Sequence, residues 1–400
     1  MLPLSGIRVL DLGRIVAAPF ATQILADMGA DVIKIERPGE GDDSRNYGPS
    51  FLDTQQGETF SGFYLSFNRN KRSIAVNIGT AEGQQLIRDL ARDCDVLIEN
   101  FKVGDLARKG LAYTDIAAVN ARIVYCSITG FGQTGPYAPY PAVDMVFQSM
   151  SGLMSVTGEA DRPPQKVGVS MADINCGLYS TIAILAALRE RDRSGLGQHI
   201  DMSLLDCLIS TMSHRAMDYF LTGEVPRRAG NVSPGSTPAQ LFECSDGMLN
   251  VQAGTDNQFR KFCGLIGRTE LLDDARFARG RQRNLNRSAL LPMIEEIFRG
   301  NTVAYWYERL IEGGIICSPV YDLSQTFADP QVQARGMKIS MEKESIGRLD
   351  GLRNPIRYSR TQLERYVFPP RVGEHTDEVL SSLLKLSEAQ IAGLRKAGAV

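Results

Sequence analysis

The sequence predicts an α/β protein with a large domain built on a buried parallel sheet and a smaller α+β domain. Three observations lead to this prediction. Strand-like and helix-like segments alternate through the first half of the chain, a cluster of Gly, Pro and Ser interrupts them at residues 223–240, and a hairpin pattern follows the cluster. Strands that alternate with helices form βαβ units, whose parallel sheet is covered by helices on both faces.

The predicted elements of the large domain follow one another along the chain. Helix patterns lie at 21–30, 80–94 and about 173–191, and the segment 203–221 reads as one further helix. The strand patterns are short apolar runs with β-branched residues, which are typical of buried strands. These runs are IRVLDLG (7–13), DVIKIER (31–37), RSIAVNI (72–78), DVLIENF (95–101), ARIVYCSIT (121–129) and GQHIDMS (197–203).

A change of composition marks the smaller domain. The stretch 223–240 is rich in Gly, Pro and Ser and indicates a loop or linker. The stretch 241–254 then predicts a hairpin around Ser245–Gly247, and helix patterns follow at 257–267 and 288–300. We therefore predict a small α+β domain at 225–325 and a large domain formed by 1–224 together with 326–400.

Composition excludes several classes of function. The formal net charge of −2 lacks the basic excess that binding to nucleic acid by bulk charge requires, so no nucleic-acid partner is predicted. No run approaches the roughly 18 apolar residues that span a bilayer, and the first residues resemble a strand rather than a signal peptide, so no membrane partner is predicted. Seven scattered cysteines without a C-x-x-C pattern indicate reduced thiols and a cytoplasmic protein. The three histidines are far apart in sequence, and no metal site is predicted.

The stretch GFGQTGP (130–136) fits the glycine pattern of dinucleotide-binding folds and follows a predicted strand. A dinucleotide site needs the third glycine at the start of a helix, whose amide groups bind the pyrophosphate. Prolines at 136, 139 and 141 exclude a continuous helix there. We therefore reject a nicotinamide oxidoreductase and expect either a turn or a loop that lets another ligand approach the backbone.

A carboxylate stands at the head of the longest predicted helix, in VGVSMADINCGLYSTIAILAALRER. Ser170 and Asp173 have the spacing of a capping box, so Asp173 could simply cap the helix. Alternatively, the helix dipole would keep Asp173 ionised, and an ionised carboxylate can act as a covalent nucleophile without a separate base. In that interpretation Gly177, one turn further on, leaves room for a ligand.

Several basic residues follow or lie between the predicted strands. They are either solvated surface charges or ligands for a polyanion such as a nucleotide phosphate, because α/β sheets bind ligands at their strand ends. These residues are Arg14, Arg37, Arg45, Arg69, Lys71, Arg72 and Arg108.

Stretches along essentially the whole chain resemble the class III coenzyme A transferases of the CaiB/BaiF type, which include formyl-CoA transferase. GFGQTGP is itself one of the family's signatures. The other similar stretches, in the family's order, are DLGRIVAAPFATQILADMGADVIKIERPGEGDDSR, FNRNKRSIAVNI, DVLIENFKVGDLARKGL, ADINCGLYSTIAILAALRER, GLGQHIDMSLLD, DDARFARGRQRNLNR, DPQVQARGM and GEHTDEVL.

The resemblance implies a fold and a mechanism. Family members combine a large Rossmann-like α/β domain with a smaller domain, and two subunits thread through each other as interlocked rings, so an intertwined homodimer is expected. CoA or acyl-CoA is a substrate rather than a permanently bound cofactor. The aspartate that matches Asp173 attacks an acyl-CoA, giving an aspartyl anhydride and then an aspartyl–CoA thioester. The expected reaction moves CoA from an acyl-CoA, such as succinyl-CoA, to a small carboxylic acid.

The resemblance also implies contacts with CoA at individual positions. Besides the catalytic Asp173, these are Val16 and Ala17 in the first βα turn, Arg37 after the second strand, Val76 and Asn77 along the adenine, Asn100 and Phe101 beside the pantetheine, Arg108 at a phosphate, and Asp144 close to the catalytic carboxylate.

The chain departs from the family's pattern at three places. Pro141 stands where some members have a lysine, and the loop at 230–236 has fewer glycines than in oxalate-specific members, so an oxalate or formyl substrate is doubtful. The α-methylacyl-CoA racemases share the fold, but Val143 replaces their histidine, and removing a proton next to a thioester needs a positioned base. A non-catalytic acyl-CoA-binding protein would lack the nucleophile, which is present here.

Overall fold

The computed structural model describes residues 1–54, 57–141, 143–233 and 235–400. Strands and helices alternate along the first half of the chain, as predicted. In chain order they are β1 (Arg8–Asp11), α1 (Ala17–Asp27), β2 (Asp31–Glu36), β3 (Phe51–Asp53), β4 (Thr59–Ser61), α2 (Gly62–Phe67), β5 (Lys71–Ala75), α3 (Ala81–Ala91), β6 (Val96–Glu99), α4 (Tyr113–Val119), β7 (Val124–Thr129), α5 (Asp144–Met150), α6 (Leu153–Val156), α7 (Met171–Ser194), β8 (His199–Ser203), α8 (Leu204–Ser210) and α9 (Ser213–Thr222).

The second half begins with the predicted hairpin, whose two strands pair antiparallel with Leu249 opposite Phe242. The elements of this half are β9 (Ala239–Glu243), β10 (Met248–Gln252), α10 (Asp256–Leu265), α11 (Gly280–Leu285), α12 (Arg287–Arg299), α13 (Val303–Glu312), β11 (Ile316–Pro319), α14 (Leu323–Ala328), α15 (Pro330–Ala334), β12 (Lys338–Lys343), β13 (Gly347–Leu352), α16 (Thr376–Leu384) and α17 (Glu388–Lys396).

Within the described residues, six strands form one parallel sheet in the order β5-β2-β1-β6-β7-β8. Numbered by their sequence order within this sheet, they read 3-2-1-4-5-6, the order of doubly wound dinucleotide-binding folds. The order reverses between β1 and β6, which leaves a crevice at the carboxyl ends of these two strands. The small sheets β11-β10-β9, β12-β13 and β3-β4 are antiparallel.

Both faces of the parallel sheet are buried. Val9 and Leu10, neighbours on β1, point to opposite faces and are both fully buried. Val9 packs in a cluster with residues of α1, α7 and α8, and Leu10 in a second cluster with residues of α3, α4, α16 and α17. This two-sided burial explains why the strands appear in the sequence as near-continuous apolar runs.

The segment predicted as one helix at 203–221 is two helices. α8 ends at Ser210 and α9 begins at Ser213. Ser213 has φ 40°, a left-handed conformation that a continuous right-handed helix does not contain. The single-helix prediction is therefore wrong, because helical spacing of apolar residues persists through a break in the backbone.

The chain forms two compact units. The larger comprises Met1–Leu153, Lys166–Met217 and Arg335–Val400, and the smaller comprises Met154–Gln165 and Asp218–Ala334. The smaller unit has its own core, in which aromatic side chains of Phe242, Phe262, Phe298 and Trp306 are buried. That these units are domains with the predicted boundaries at 225 and 325 stays a prediction.

Among the described residues, one helix is long and apolar enough to cross a membrane by length and composition, although the sequence analysis predicts none. This helix is α7, and 44% of its most apolar window is buried. Core helices of soluble proteins pass the same test, and α7 packs in the sheet's core through Cys176, Ile184 and Leu188.

Candidate active site

A cavity of about 450 Å³ lies in the larger unit, at the crevice where the strand order reverses. It is formed by the loops that follow β1 and β6, by the end of β7 and by the amino-terminal end of α7. This is where open α/β sheets bind their ligands, because two neighbouring loops leave the sheet in opposite directions. We call it the Asp173 cavity. Its lining includes Arg14–Ala17, Asn100–Val103, Ile128–Gly130, Tyr140, Val143, Asp144, Phe147, Ser170 and Asp173.

The loop after β1 is held in an unusual backbone conformation. Ile15 has φ 71°, which is rare for a β-branched residue and costs on the order of 1–3 kcal/mol. Its amide donates to the two carboxylate oxygens of Asp42 at 3.2 and 3.3 Å. The neighbouring Arg14 exchanges two hydrogen bonds with the side chain of Asn100, at 2.9 and 2.8 Å. The surrounding residues therefore fix a strained loop against the end of β6.

A buried ion pair stabilises the loop that follows β1. The Lys34 ammonium on β2 contacts Asp42 at 2.8 Å, and both side chains are fully buried. The same ammonium donates to the Gly13 carbonyl at 2.8 Å. Burial alone would raise the pKa of Asp42, but the charge and hydrogen bond of Lys34, together with hydrogen bonds from Ser44, outweigh it and hold that pKa well below its usual range. Both groups therefore stay charged inside the protein.

Asp173 lies in the first turn of α7, but it does not cap the helix. Ser170 makes no capping bond, and in the described ranges the Asp173 carboxylate has no hydrogen-bond partner. Burial, and then the negative charge of Asp144, raise the pKa of Asp173 to about 7. The predicted capping box is therefore wrong, and burial leaves this carboxylate less ionised than the prediction from the helix dipole implies.

Asp144 occupies the capping place instead. One of its carboxylate oxygens accepts from the amide of Ala172 at 2.7 Å, and the other accepts from Nε2 of Gln148 at 2.7 Å. A carboxylate near the start of α7 is favoured by the helix dipole and by the unpaired amides of the first turn. Asp144 is thus tied to the backbone immediately before Asp173.

Gly177 serves packing between helices rather than ligand access, so the prediction that it leaves room for a ligand is wrong. A Cβ atom at this position would lie 2.9 Å from the carbonyl oxygen of Ala17 and 3.0 Å from the ring of Phe20. The missing side chain lets α7 approach α1 closely, which places Asp173 near the loop that follows β1.

Six of the ten predicted site residues line the Asp173 cavity, and four lie elsewhere. Arg37 is half exposed and pairs with Glu40 and Asp43, while Arg108 is exposed and pairs with Asp105. Val76 and Asn77 follow β5, and the Asn77 side chain donates to the Gly398 carbonyl at 3.1 Å. The six that line the cavity are Val16, Ala17, Asn100, Phe101, Asp144 and Asp173.

Four of the basic residues singled out from the sequence are neither solvated nor available to a phosphate. They form ion pairs inside the larger unit with acidic residues that are distant in sequence and that folding brings close. Lys71 contacts Asp11, Arg45 contacts Glu36, Arg69 contacts Asp27, and Arg72 contacts Asp31 and Glu378.

The glycines of GFGQTGP form a loop, as the prolines predict. Gly132 and Gly135 have φ 87° and 94°, and in the described part of 130–143 no helix begins. Gly130 lines the Asp173 cavity, as do Pro141 and Val143. Ala142, between them, and Pro234, in the loop at 230–236, lie outside the described residues. No group of three or more possible metal ligands is present among the described residues.

Comparisons with known proteins show which family the chain belongs to. The family model for CoA-transferase family III matches residues 4–376. A succinate–glutarate CoA-transferase from Agrobacterium fabrum is 44% identical over 387 residues, which cover 95% of this chain and 96% of that protein. A succinyl-CoA:glutarate CoA-transferase from Homo sapiens is 38% identical over 398 residues, covering 100% of this chain and 90% of the human protein.

A solved structure gives the same result at the level of the fold. The crystal structure of a CaiB/BaiF family protein from Brucella suis matches with a TM-score of 0.88 and 44% identity, covering 96% of this chain and 99% of that chain. The resemblance stated from the sequence is thereby confirmed. The chain belongs to CoA-transferase family III, the CaiB/BaiF family, and is an acyl-CoA:carboxylate CoA-transferase.

Proposed function

We propose that this enzyme transfers CoA from succinyl-CoA to a small C4 or C5 dicarboxylic acid, with glutarate the first choice, and that Asp173 is the nucleophile. The observation that carries the proposal is the state of the Asp173 carboxylate. It lies in a cavity at the switch point of the sheet, has a pKa of about 7, and has no hydrogen-bond partner among the described residues. Such a carboxylate is half ionised near neutral pH and is not stabilised by donors that would weaken its nucleophilicity.

The reaction consists of four exchanges at three carbonyl carbons: that of the donor acyl group, Cγ of Asp173 and that of the acceptor acid. A carboxylate oxygen of Asp173 attacks the acyl-CoA carbonyl, the C–S bond breaks, and an anhydride and the CoA thiolate form. The thiolate attacks Asp173 Cγ, the anhydride C–O bond breaks, and the donor acid leaves as its carboxylate. The acceptor carboxylate then attacks the aspartyl thioester, and the returning thiolate attacks the acceptor's carbonyl in the new anhydride, which releases Asp173. No net proton or electron transfer occurs.

The lining of the cavity suits these intermediates. An anhydride is hydrolysed if water reaches it, and apolar side chains of Ile15, Val16, Phe101 and Phe147 line the cavity. Lys102 and Arg14, which pairs with Asp43, also line the cavity, and their positive charges favour substrates that keep a free carboxylate or carry phosphates. The two basic residues support a dicarboxylate as the acid.

The predicted contacts with CoA are part of the proposal. Val16, Ala17, Asn100 and Phe101 would flank the pantetheine arm beside Asp173. The nucleotide end would extend along the carboxyl edge of the sheet toward Val76 and Asn77, and toward Arg37 and Arg108. The two arginines would exchange their present carboxylate partners for phosphates.

The names of the relatives support the choice of substrates, since those from Agrobacterium fabrum and Homo sapiens act on succinate or succinyl-CoA and glutarate. A screen tests this choice: purified enzyme is incubated with succinyl-CoA or acetyl-CoA and a panel of acids, and the CoA esters are measured by mass. We expect glutaryl-CoA to form fastest from succinyl-CoA. Oxalyl-CoA or a racemised 2-methylacyl-CoA as the main product would contradict the proposal.

We also propose that the enzyme is a cytoplasmic homodimer with interlocked subunits. Apolar side chains on α7 support the dimer, since Leu178, Tyr179 and Ile182 are 41–61% exposed in the single chain. Seven free, buried cysteines support the reducing compartment. Sedimentation should give twice the 43.9 kDa mass of the chain, and a monomer that retains full activity would contradict the dimer.

The rate should depend on pH through Asp173. Because the ionised carboxylate attacks, kcat is expected to rise with pH and level off above about pH 7. Asp144→Asn removes the neighbouring negative charge that contributes to the raised pKa, so its rise in kcat should lie at lower pH than that of the wild type. Asp192→Asn, on the exposed far end of α7, should leave the profile in place. If the pH profiles of Asp144→Asn and the wild type were superimposable, the negative charge of Asp144 would not contribute to the raised pKa of Asp173.

A further inference from the structure

The backbone that leads into Asp173 belongs to neither a helix nor a strand. Residues 166–170 connect the preceding loop to α7 without regular structure. Backbone amides and carbonyls in such a segment need partners from side chains or water. Here the partner is the side chain of Gln148, which lies on α5 and is only 1% exposed.

The side-chain amide of Gln148 both accepts a hydrogen bond from and donates one to the backbone of this segment, as a neighbouring strand's backbone does. Its Oε1 accepts from the amide of Val167 at 2.8 Å, and its Nε2 donates to the carbonyl of Val169 at 3.2 Å. Nε2 also donates to Asp144 at 2.7 Å, and reaches the Val167 carbonyl at 3.5 Å. One buried amide therefore joins the segment before α7 to the carboxylate that contacts the amide of Ala172.

Charge explains why an amide is needed at this position. Asp144 accepts from Ala172 with one oxygen and from Gln148 with the other, and it is the charged group whose field contributes to the raised pKa of Asp173. An apolar side chain at position 148 would leave Asp144, Val167 and Val169 with unpaired polar atoms. A buried polar atom without a partner is unfavourable, so the segment would rearrange.

We propose that Gln148 is a positioning residue for the transfer reaction: it holds Asp144 and the 166–170 segment, and through them fixes the place and the electrostatic surroundings of Asp173. The inference rests on the proposed role of Asp173 as nucleophile. Gln148 does not line the cavity, so it acts through Asp144 and the backbone rather than on the substrate.

The relevant titratable groups are few. Asp144 is hydrogen-bonded to Gln148, and Asp173 interacts electrostatically with Asp144. The other charged or titratable side chains that line the cavity are Arg14, Tyr47, Lys102 and Tyr140. A glutamate at position 148 would place a second buried carboxyl group against Asp144. Two carboxyl groups in one site share a proton, so the new group would be protonated at low pH and ionised at higher pH.

Two variants and a control test the inference. In Gln148→Glu the protonated carboxyl donates to Asp144 as the amide does, so its kcat relative to wild type should be highest at low pH and fall as the pH rises. Gln148→Leu has no donor at any pH, and its kcat should fall about 10- to 100-fold throughout, with KM for succinyl-CoA within about threefold of wild type. Ser149→Ala removes an exposed hydroxyl on the same helix, which among the described residues bonds only to the Val146 carbonyl, and it should match the wild type.

The Gln148→Glu comparison is made within one protein at several pH values, so it remains decisive if Gln148→Leu does not fold. A kcat ratio of Gln148→Glu to wild type that is constant with pH would overturn the positioning role. A raised KM for succinyl-CoA with unchanged kcat in Gln148→Leu would also overturn it. If Asp173→Asn were active, the proposed nucleophile would fail instead. Inactive Asp173→Asn together with a constant ratio would overturn only the role of Gln148.

Discussion

Asp173→Asn is expected to lower kcat by at least about 10³-fold, because removing a covalent nucleophile usually costs that much or more. The amide has the same shape as the carboxylate but cannot form a stable acyl anhydride. The described structure shows no hydrogen bond to the Asp173 side chain, so the substitution should leave the fold and the affinity for CoA intact. Transfer is measured as initial rates of CoA ester formation, and CoA binding by calorimetry.

The control is Asp192→Asn, the same chemical change on the exposed carboxyl-terminal part of the same helix. Hydroxylamine supplies a second measurement, because it should inactivate wild-type enzyme only in the presence of acyl-CoA, by trapping the activated aspartate. Asp173→Asn should bind CoA and show no such trapping. If the variant kept a tenth of the wild-type rate, the covalent mechanism through this residue would be wrong.

The same variant should also be more stable than the wild type above neutral pH. The folded-state pKa of Asp173, about 7, lies above the usual value of 3.8. Between these two pH values the native state therefore holds a proton that the unfolded state has lost, and the free energy of unfolding falls as the pH rises. A shift of about three units corresponds to at most about 4 kcal/mol. In urea titrations, the gain from Asp173→Asn should be small at pH 5 and largest at pH 8.

Sequence reasoning predicted the fold through local signals, and it proposed the nucleophile from a local signal together with the family resemblance. Alternating strand and helix patterns predict the parallel sheet, because the central strands are buried on both faces and carry apolar runs. Asp173 stood out because it is a carboxylate at the head of an otherwise apolar helix. The resemblance placed Asp144 close to Asp173, but the capping role of Asp144 was not predicted, because its bond to the amide of Ala172 spans 28 residues and forms only through tertiary folding.

The residues that support the site were missed for the same reason. Gln148 and Asp42 have unremarkable local sequence contexts, and their bonds join separate loops. Nothing in the sequence suggests a positive φ at Ile15, since β-branched residues disfavour it. Lys34 did leave a usable signal: it is a charged residue in the middle of the apolar strand DVIKIER, where a buried charge requires a partner.

Lys34→Met is expected to lower the free energy of unfolding by about 3–5 kcal/mol, the usual cost of removing one partner of a buried ion pair. Methionine fills a similar volume but leaves the Asp42 carboxylate charged, buried and without its ammonium. The Gly13 carbonyl also loses its donor. The effect is measured by urea unfolding at pH 7, with Lys396→Met on the exposed end of α17 as the control.

The pH dependence identifies the cause of this loss. In the wild type the pKa of Asp42 is depressed, so the pair contributes its stability above the usual carboxyl pKa and loses it only as the pH falls through the depressed value. In Lys34→Met the charge and the hydrogen bond of Lys34 are lost while the hydrogen bonds from Ser44 remain, so the pKa of Asp42 rises above its wild-type value and the carboxyl group becomes neutral at less acidic pH. The destabilisation should therefore be smaller at pH 5 than at pH 8. A difference that grows toward low pH would show that lost packing, rather than an unpaired charge, dominates.

The ion pair should matter for activity as well, because it holds the strained loop at Ile15. Without the ammonium, Asp42 can leave the Ile15 amide, the backbone can relax from φ 71°, and the wall formed by Val16 and Ala17 moves. Adding Asp42→Asn to Lys34→Met removes the orphaned charge, so the double variant should be more stable than Lys34→Met alone. Its kcat should nevertheless stay below the wild-type value, since a neutral pair no longer fixes the loop. Full recovery of both stability and kcat would show that the pair serves folding only.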